Sequence, residues 1–79
     1  MRKVAILGAT GSIGASTLDL IRREQDEWRV VALTANGNVA ELAKLAREFK
    51  AEIAVCGDGG CLPALREELR PHFLPAYYE

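Results

Sequence analysis

The sequence predicts an α/β domain built on a parallel β-sheet. Three short apolar runs, at residues 4–7, 30–33 and 53–56, stand out along the 79 residues, and none of them alternates apolar with polar. Continuous runs of this length are typical of strands buried on both faces, as in a parallel sheet. Stretches with helical spacing separate the runs and follow the last one, which gives the order β-α-β-α-β-α.

The two stretches between the runs each carry one apolar stripe at helical spacing. Asn38 is expected to cap the second helix, with Glu41 three residues later, as in a capping box. In the first helix, the stripe expected to face the sheet consists of Ile13, Thr17, Leu20 and Ile21. In the second helix, it consists of Val39, Leu42, Leu45, Ala46 and Phe49.

A third helix and a tail follow the last apolar run. Pro63 suits the first turn of a helix, and Pro71 cannot continue one. We therefore expect a helix from about Leu62 to Arg70 and an irregular tail over residues 71–79.

The sequence Gly-Ala-Thr-Gly-Ser-Ile-Gly at residues 8–14 follows the first strand directly and opens the first helix. Gly8 permits a tight turn, Gly11 lets the backbone approach a pyrophosphate, and Gly14 lets the helix pack close to the sheet. The free backbone amides in the first turn of the helix then point at the anion, and the hydroxyls of Thr10 and Ser12 can add hydrogen-bond donors. This context predicts the first half of a doubly wound, Rossmann-like dinucleotide-binding domain, with strand order 3-2-1. The expected cofactor contacts are Gly8, Thr10, Gly11, Ser12 and Ile13.

The end of the second strand favours NADP over NAD. No acidic residue lies between Arg29 and Val39, whereas NAD-binding proteins place an Asp or Glu there for the ribose hydroxyls. Amide donors from Asn36, Gly37 and Asn38 at the start of the second helix can receive a 2′-phosphate. The same three residues also fit a simple turn and helix cap, and both roles can hold at once.

Composition excludes several other classes of function. The net charge of −1 gives no electrostatic case for nucleic acid or an anionic membrane. No apolar run approaches the roughly 20 residues of a membrane-spanning helix, and no signal peptide precedes the first strand. Cys56, Cys61 and the single His72 are too few for a metal site made by this chain alone. No pairing of a nucleophile with a base is evident, so we expect a cytoplasmic chain that binds but does not catalyse.

Three segments closely resemble the amino terminus of the 1-deoxy-D-xylulose 5-phosphate reductoisomerase family: residues 6–14, the Ser-Thr-Leu-Asp of residues 16–19, and residues 30–39. The resemblance extends from about Lys3 to Val55 without a gap. Many dehydrogenases share the glycine turn, but few share the other two segments.

The resemblance implies an NADPH-dependent bacterial enzyme of the cytoplasm. That family isomerises and reduces 1-deoxy-D-xylulose 5-phosphate to 2-C-methyl-D-erythritol 4-phosphate in non-mevalonate isoprenoid biosynthesis. It implies a homodimer and a divalent metal, Mg or Mn, whose ligands lie in later domains together with the catalytic residues. Residues 1–79 would then be the N-terminal part of the NADP-binding domain. Cofactor contacts map onto residues 10–13 and 36–38, and many relatives have Lys or Arg where this chain has Gly37.

Other interpretations stay open from the sequence alone. Another dehydrogenase with the same glycine turn, a non-catalytic dinucleotide-binding module and a truncated product all fit the residues. In the complete doubly wound fold the first strand is central, and its second neighbour is a fourth strand that we do not find in this sequence. An apolar free edge predicts a chain that is marginally stable or self-associates.

Overall fold

The computed structural model describes residues 2–57, 59–72 and 74–78. Its elements are β1 (Arg2–Ile6), α1 (Ser12–Arg23), β2 (Trp28–Ala35), α2 (Val39–Phe49), β3 (Ile53–Cys56), α3 (Leu62–Leu69), a 3₁₀ turn (Arg70–His72) and β4 (Ala76–Tyr78). All paired strands are parallel, in the order β1-β2-β3-β4. The predicted α/β class and the order of the first three strands are confirmed. None of the described helices is long and apolar enough to cross a membrane.

The irregular tail that the sequence predicts over residues 71–79 is wrong in part, because the structure has strand β4 there. It pairs with β3, placing Ala76 opposite Ala54, and the Ala54 amide donates to the Pro75 carbonyl at 3.1 Å. A three-residue strand is too short to show a pattern, so its pairing with β3 defines it. The sequence also places no strand beside the third one, whereas β4 lies there. Phe73 and Glu79 of this tail are outside the described residues.

A bulge in β2 determines which side chains of that strand face the helices. Val4 pairs with Val30 and Ala5 pairs with Ala32, so Val31 is an extra residue on β2. Two residues opposite one shift the alternation of the strand by one position. The buried side chains of β2 are therefore Val30, Leu33 and Ala35.

The three helices lie on one face of the sheet. An ion pair of Arg22 with Glu48 joins α1 to α2, and one of Arg47 with Glu68 joins α2 to α3. Strands that advance in one direction through right-handed crossovers place every helix on the same side. The predicted stripe of α2 is confirmed. Its buried members are Leu42, Leu45 and Ala46, and the half-buried members that pack against the core are Val39 and Phe49.

The stripe predicted for α1 is largely wrong. The buried residues of this helix are Gly14, Leu18 and Ile21, whereas Ile13 is 83% exposed and Leu20 is 63% exposed. Two adjoining stripes of α1 are apolar, and the packing of the helix on the sheet selects one of them. Within the described ranges, β1 pairs only with β2, so nothing next to its other edge covers the second stripe.

This uncovered surface predicts that the 79-residue chain self-associates through β1. An unpaired strand edge is a template for another chain, and antiparallel pairing of two β1 strands keeps Arg2 and Lys3 of one copy away from those of the other. Leu20→Glu places a charge on the exposed stripe and should shift sedimentation towards monomer, and its melting temperature should fall below that of wild type only at concentrations at which wild type self-associates. Ala64→Glu, on an exposed position of α3, is the matched control. A wild-type chain that sediments as a monomer at all concentrations contradicts this prediction.

The ion pair between α1 and α2 predicts a pH-dependent stability. Arg22 donates two hydrogen bonds to the Glu48 carboxylate, the second at 3.1 Å. This hydrogen bonding holds the pKa of Glu48 below its ordinary value of 4.5. A lowered carboxyl pKa stabilises the fold above the ordinary value, and this contribution is lost as the pH falls through the lowered one. Glu48→Gln should therefore melt slightly below wild type at neutral pH, and the two melting curves should converge in acid.

The expected change in melting temperature is small because each side chain of this ion pair is exposed to solvent by about a third or more. Glu67→Gln is the control, since Glu67 pairs with Arg70 on a far more exposed surface. A difference between Glu48→Gln and wild type that persists undiminished in acid would argue against this assignment.

Candidate functional site

The turn between β1 and α1 is fastened to the end of β2. Gly8 has a φ of +70°, which side chains rarely allow, so the predicted need for glycine at this tight turn is confirmed. The Gly8 amide donates to Thr34 Oγ1 at 3.0 Å, and the Ala9 amide donates to the Thr34 carbonyl at 2.7 Å. Thr34 thus holds the turn through two contacts, a role that the sequence did not indicate.

Gly14 allows α1 to start directly against this turn. A Cβ at this position would lie 2.8 Å from Ala9 Cα and would also collide with the Gly8 carbonyl. Both obstacles are backbone atoms, which cannot swing aside as a side chain does. The need for glycine at residue 14 is confirmed, but the nearest obstacles belong to the turn and not to the sheet against which the sequence predicts the packing.

The N-terminus of α1 is open to an external group. Gly11 is the N-cap residue, with extended backbone, and no side chain among the described residues caps the helix. A Cβ at Gly11 would meet only the Gly8 carbonyl, at an ordinary 3.5 Å, so packing within the chain does not require glycine here. Ser12 and Ile13, next along the first turn, are exposed. The amides of such a turn carry the positive end of the helix dipole and suit an anion.

The second part of the predicted site lies between β2 and α2. Asn38 caps α2, and its Oδ1 accepts from the Glu41 amide at 3.3 Å, as predicted. Because the oxygen serves the cap, the NH₂ of the Asn38 side chain remains a donor for another acceptor. A Cβ built on Gly37 meets nothing within 4 Å, so the fold leaves open space at this position.

A cavity of about 220 Å³ at the carboxyl ends of the first three strands brings Gly8 of the first part together with Asn36 of the second. Its walls come from the glycine turn, the end of β2 and the residue after β3, and they carry no charged side chain. Thr34, Ala35 and Gly57 are the members that the sequence analysis did not predict. The lining residues are Gly8, Thr34, Ala35, Asn36 and Gly57.

The described residues hold no group of three His, Cys, Asp or Glu side chains that would suit a metal ion. The residues predicted for the site instead supply backbone amides, hydroxyls and carboxamides, which are hydrogen-bond donors for phosphate oxygens. This donor set fits the pyrophosphate and 2′-phosphate of a dinucleotide.

Comparison with known proteins assigns the family. Residues 4–76 match the family model described as 1-deoxy-D-xylulose 5-phosphate reductoisomerase. The chain belongs to this family. Reductoisomerases from Cereibacter sphaeroides and Rhodopseudomonas palustris are each 56% identical to it, over 71 and 69 residues, and each match covers 87% of the chain. The matched parts amount to 18% and 17% of those relatives, so the chain spans less than a fifth of their length.

Solved reductoisomerase structures share the fold. The Zymomonas mobilis enzyme in complex with NADPH is 48% identical, with a TM-score of 0.95 over 98% of this chain and 20% of that one. A reductoisomerase in complex with NADPH, fosmidomycin and magnesium is 33% identical, with a TM-score of 0.92 over 100% of this chain and 20% of that one. The Rossmann-like α/β interpretation is therefore confirmed for this stretch of a reductoisomerase.

The cap at Asn38 predicts a measurable contribution to stability. Asn38→Ala removes the acceptor for the Glu41 amide and should lower the free energy of unfolding by about 1 kcal/mol. In a domain of this size that loss lowers the melting temperature by about 4–8 °C. Asn38→Asp keeps an oxygen at the same place and should melt close to wild type. Equal melting temperatures for Asn38→Ala and Asn38→Asp would show that the cap contributes nothing.

Proposed function

We propose that this chain is the NADPH-binding portion of a 1-deoxy-D-xylulose 5-phosphate reductoisomerase. The observation that carries the proposal is the uncapped N-terminus of α1, reached through Gly11 and placed beside the glycine turn. Solved relatives with NADPH bound, which superimpose on almost all of this chain, support it. On this proposal, residues 1–79 are the N-terminal part of an NADP-binding domain, and the catalytic and C-terminal domains lie outside it.

The proposed cofactor contacts fall into two groups. The turn and the first amides of α1 bind the pyrophosphate, and the segment between β2 and α2 binds the 2′-phosphate of the adenosine. When bound, NADPH supplies the hydride for reduction, and the residues of this chain hold and orient it. The first group is Gly8, Thr10, Gly11, Ser12 and Ile13, and the second is Asn36, Gly37 and Asn38.

The rest of the activity belongs to the longer protein. We propose that it converts 1-deoxy-D-xylulose 5-phosphate to 2-C-methyl-D-erythritol 4-phosphate for isoprenoid synthesis by the non-mevalonate route. A divalent metal, Mg or Mn, and the catalytic residues would come from outside this chain, as would the sugar-phosphate site. We also propose a cytoplasmic location, and the homodimer implied by the family resemblance is part of the same proposal.

The test is a calorimetric titration of the chain with NADPH and, separately, with NADH. We expect NADPH to bind more tightly, because amide donors face the 2′-phosphate and no acid opposes it. Gly37→Lys should strengthen NADPH binding and leave NADH unchanged, since the added side chain has open space and reaches only the 2′-phosphate. Asn38→Asp should keep the α2 cap and weaken NADPH binding by charge repulsion.

A chimera tests the enzymatic part of the proposal. Residues 4–76 replace the matching stretch of the Cereibacter sphaeroides relative, and NADPH oxidation is followed with 1-deoxy-D-xylulose 5-phosphate. We expect an active enzyme that Gly37→Lys alters through the KM for NADPH. A folded chimera without activity, or a chain and chimera that both prefer NADH, would refute the proposed function.

A further inference from the structure

Gly57 is packed against the backbone of Asn36. A Cβ built on Gly57 would lie 2.6 Å from the Asn36 carbonyl oxygen and 3.0 Å from Asn36 Cα, and closer still to Asn36 Oδ1. The Gly57 amide also donates to the Asn36 carbonyl at 2.9 Å. A left-handed backbone conformation does not explain this residue, because Gly57 does not have a positive φ.

We infer that Gly57 is a positioning residue for the 2′-phosphate segment, residues 36–38, an inference that rests on the proposed function. Ala35 pairs with Cys56 at the ends of β2 and β3, so Asn36 and Gly57 follow directly after this last pair. The absence of a side chain at Gly57 lets the start of the segment lie against residue 57 and leaves room for the amide oxygen of Asn36. The orientation of the Asn36 carboxamide is therefore set from β3.

A side chain at residue 57 would move the segment rather than the strand. Two of the three obstructed atoms belong to the Asn36 backbone, which cannot rotate away as the end of a side chain does. At its other end the segment is anchored, because Asn38 is held in the α2 cap. The displacement is therefore concentrated at Asn36 and Gly37, where the 2′-phosphate donors lie on the proposed function. The glycine turn is fastened independently through Thr34.

Gly59 provides a matched control two residues away. A Cβ there would lie 3.5 Å from the ring of Tyr78, an ordinary contact distance. Gly59→Ala therefore makes the same chemical change in the same loop without displacing backbone.

The experiment compares two adenine nucleotides that differ in one phosphate. Adenosine 2′,5′-bisphosphate and adenosine 5′-monophosphate are titrated against wild type, Gly57→Ala and Gly59→Ala of the full 79-residue chain. Gly57→Ala should weaken binding of the bisphosphate by about tenfold, the loss expected for one hydrogen bond to a charged group. The affinity of Gly57→Ala for the monophosphate should stay within about twofold of the wild-type affinity, because residue 57 shares no contact with the groups that bind this nucleotide. Gly59→Ala should bind both nucleotides as wild type does.

Each remaining outcome refutes the inference. Unchanged binding of both nucleotides by Gly57→Ala refutes it, and so does an equal loss for both, which indicates general damage to the fold. In these cases wild type still prefers the bisphosphate, and the proposed function stands. A wild-type chain that binds neither nucleotide contradicts the proposed function and this inference together.

A double variant keeps the test decisive if Gly57→Ala alone does not fold. Asn36→Gly removes Oδ1 and frees the backbone at that position to shift, so it should accept alanine at residue 57. We expect Asn36→Gly and the combined Asn36→Gly/Gly57→Ala to bind the bisphosphate within about twofold of each other, as a coupled pair does. A further tenfold loss in the combined variant would show that Gly57 acts by some route other than Asn36.

Discussion

The site depends above all on the contact between the start of α1 and the turn that precedes it. Gly14 lies so close to the Gly8–Ala9 backbone that α1 can begin there only without a side chain. On its other side the turn is held by Thr34, through both its hydroxyl and its carbonyl. Strand β2 therefore helps to fix the direction in which the first amides of α1 point. The start of α1 is therefore held in place by the fold itself, through backbone packing and the Thr34 hydroxyl.

Local signals in the sequence were sufficient for much of this structure. Buried parallel strands consist of continuous apolar residues, so the first three strands could be found without knowledge of their neighbours. The start of α2 was equally local, because Asn38 and Glu41 are three residues apart in one turn. The glycine turn was recognisable because Gly8 and Gly14 each answer a separate steric need. The same locality explains why the order β-α-β-α-β-α could be read directly from the chain.

The features that sequence reasoning missed all depend on contacts between distant parts of the chain. Strand β4 is defined by its pairing with β3, and Gly57 matters because Asn36 lies against it. The buried face of α1 was misplaced because two of its stripes are apolar, and Ile13 and Leu20 belong to the one that faces away from the core. Periodicity identifies an amphipathic helix, but it cannot choose between two adjoining stripes.

The bulge at Val31 has a consequence for the chain length that this fold tolerates. It offsets β2 by one residue, so Leu33 faces the core while Thr34 reaches the glycine turn. A deletion of one residue between Val30 and Leu33 would remove the bulge and place Leu33 two positions after Val30, so Leu33 would keep its place in the core opposite Ile6. Loss of a second residue there would reverse every later position of β2, including Thr34, because side chains in a strand alternate. Changes of chain length within β2 should accordingly be confined to the bulge, whereas the loop before the strand, at residues 24–27, can vary more freely.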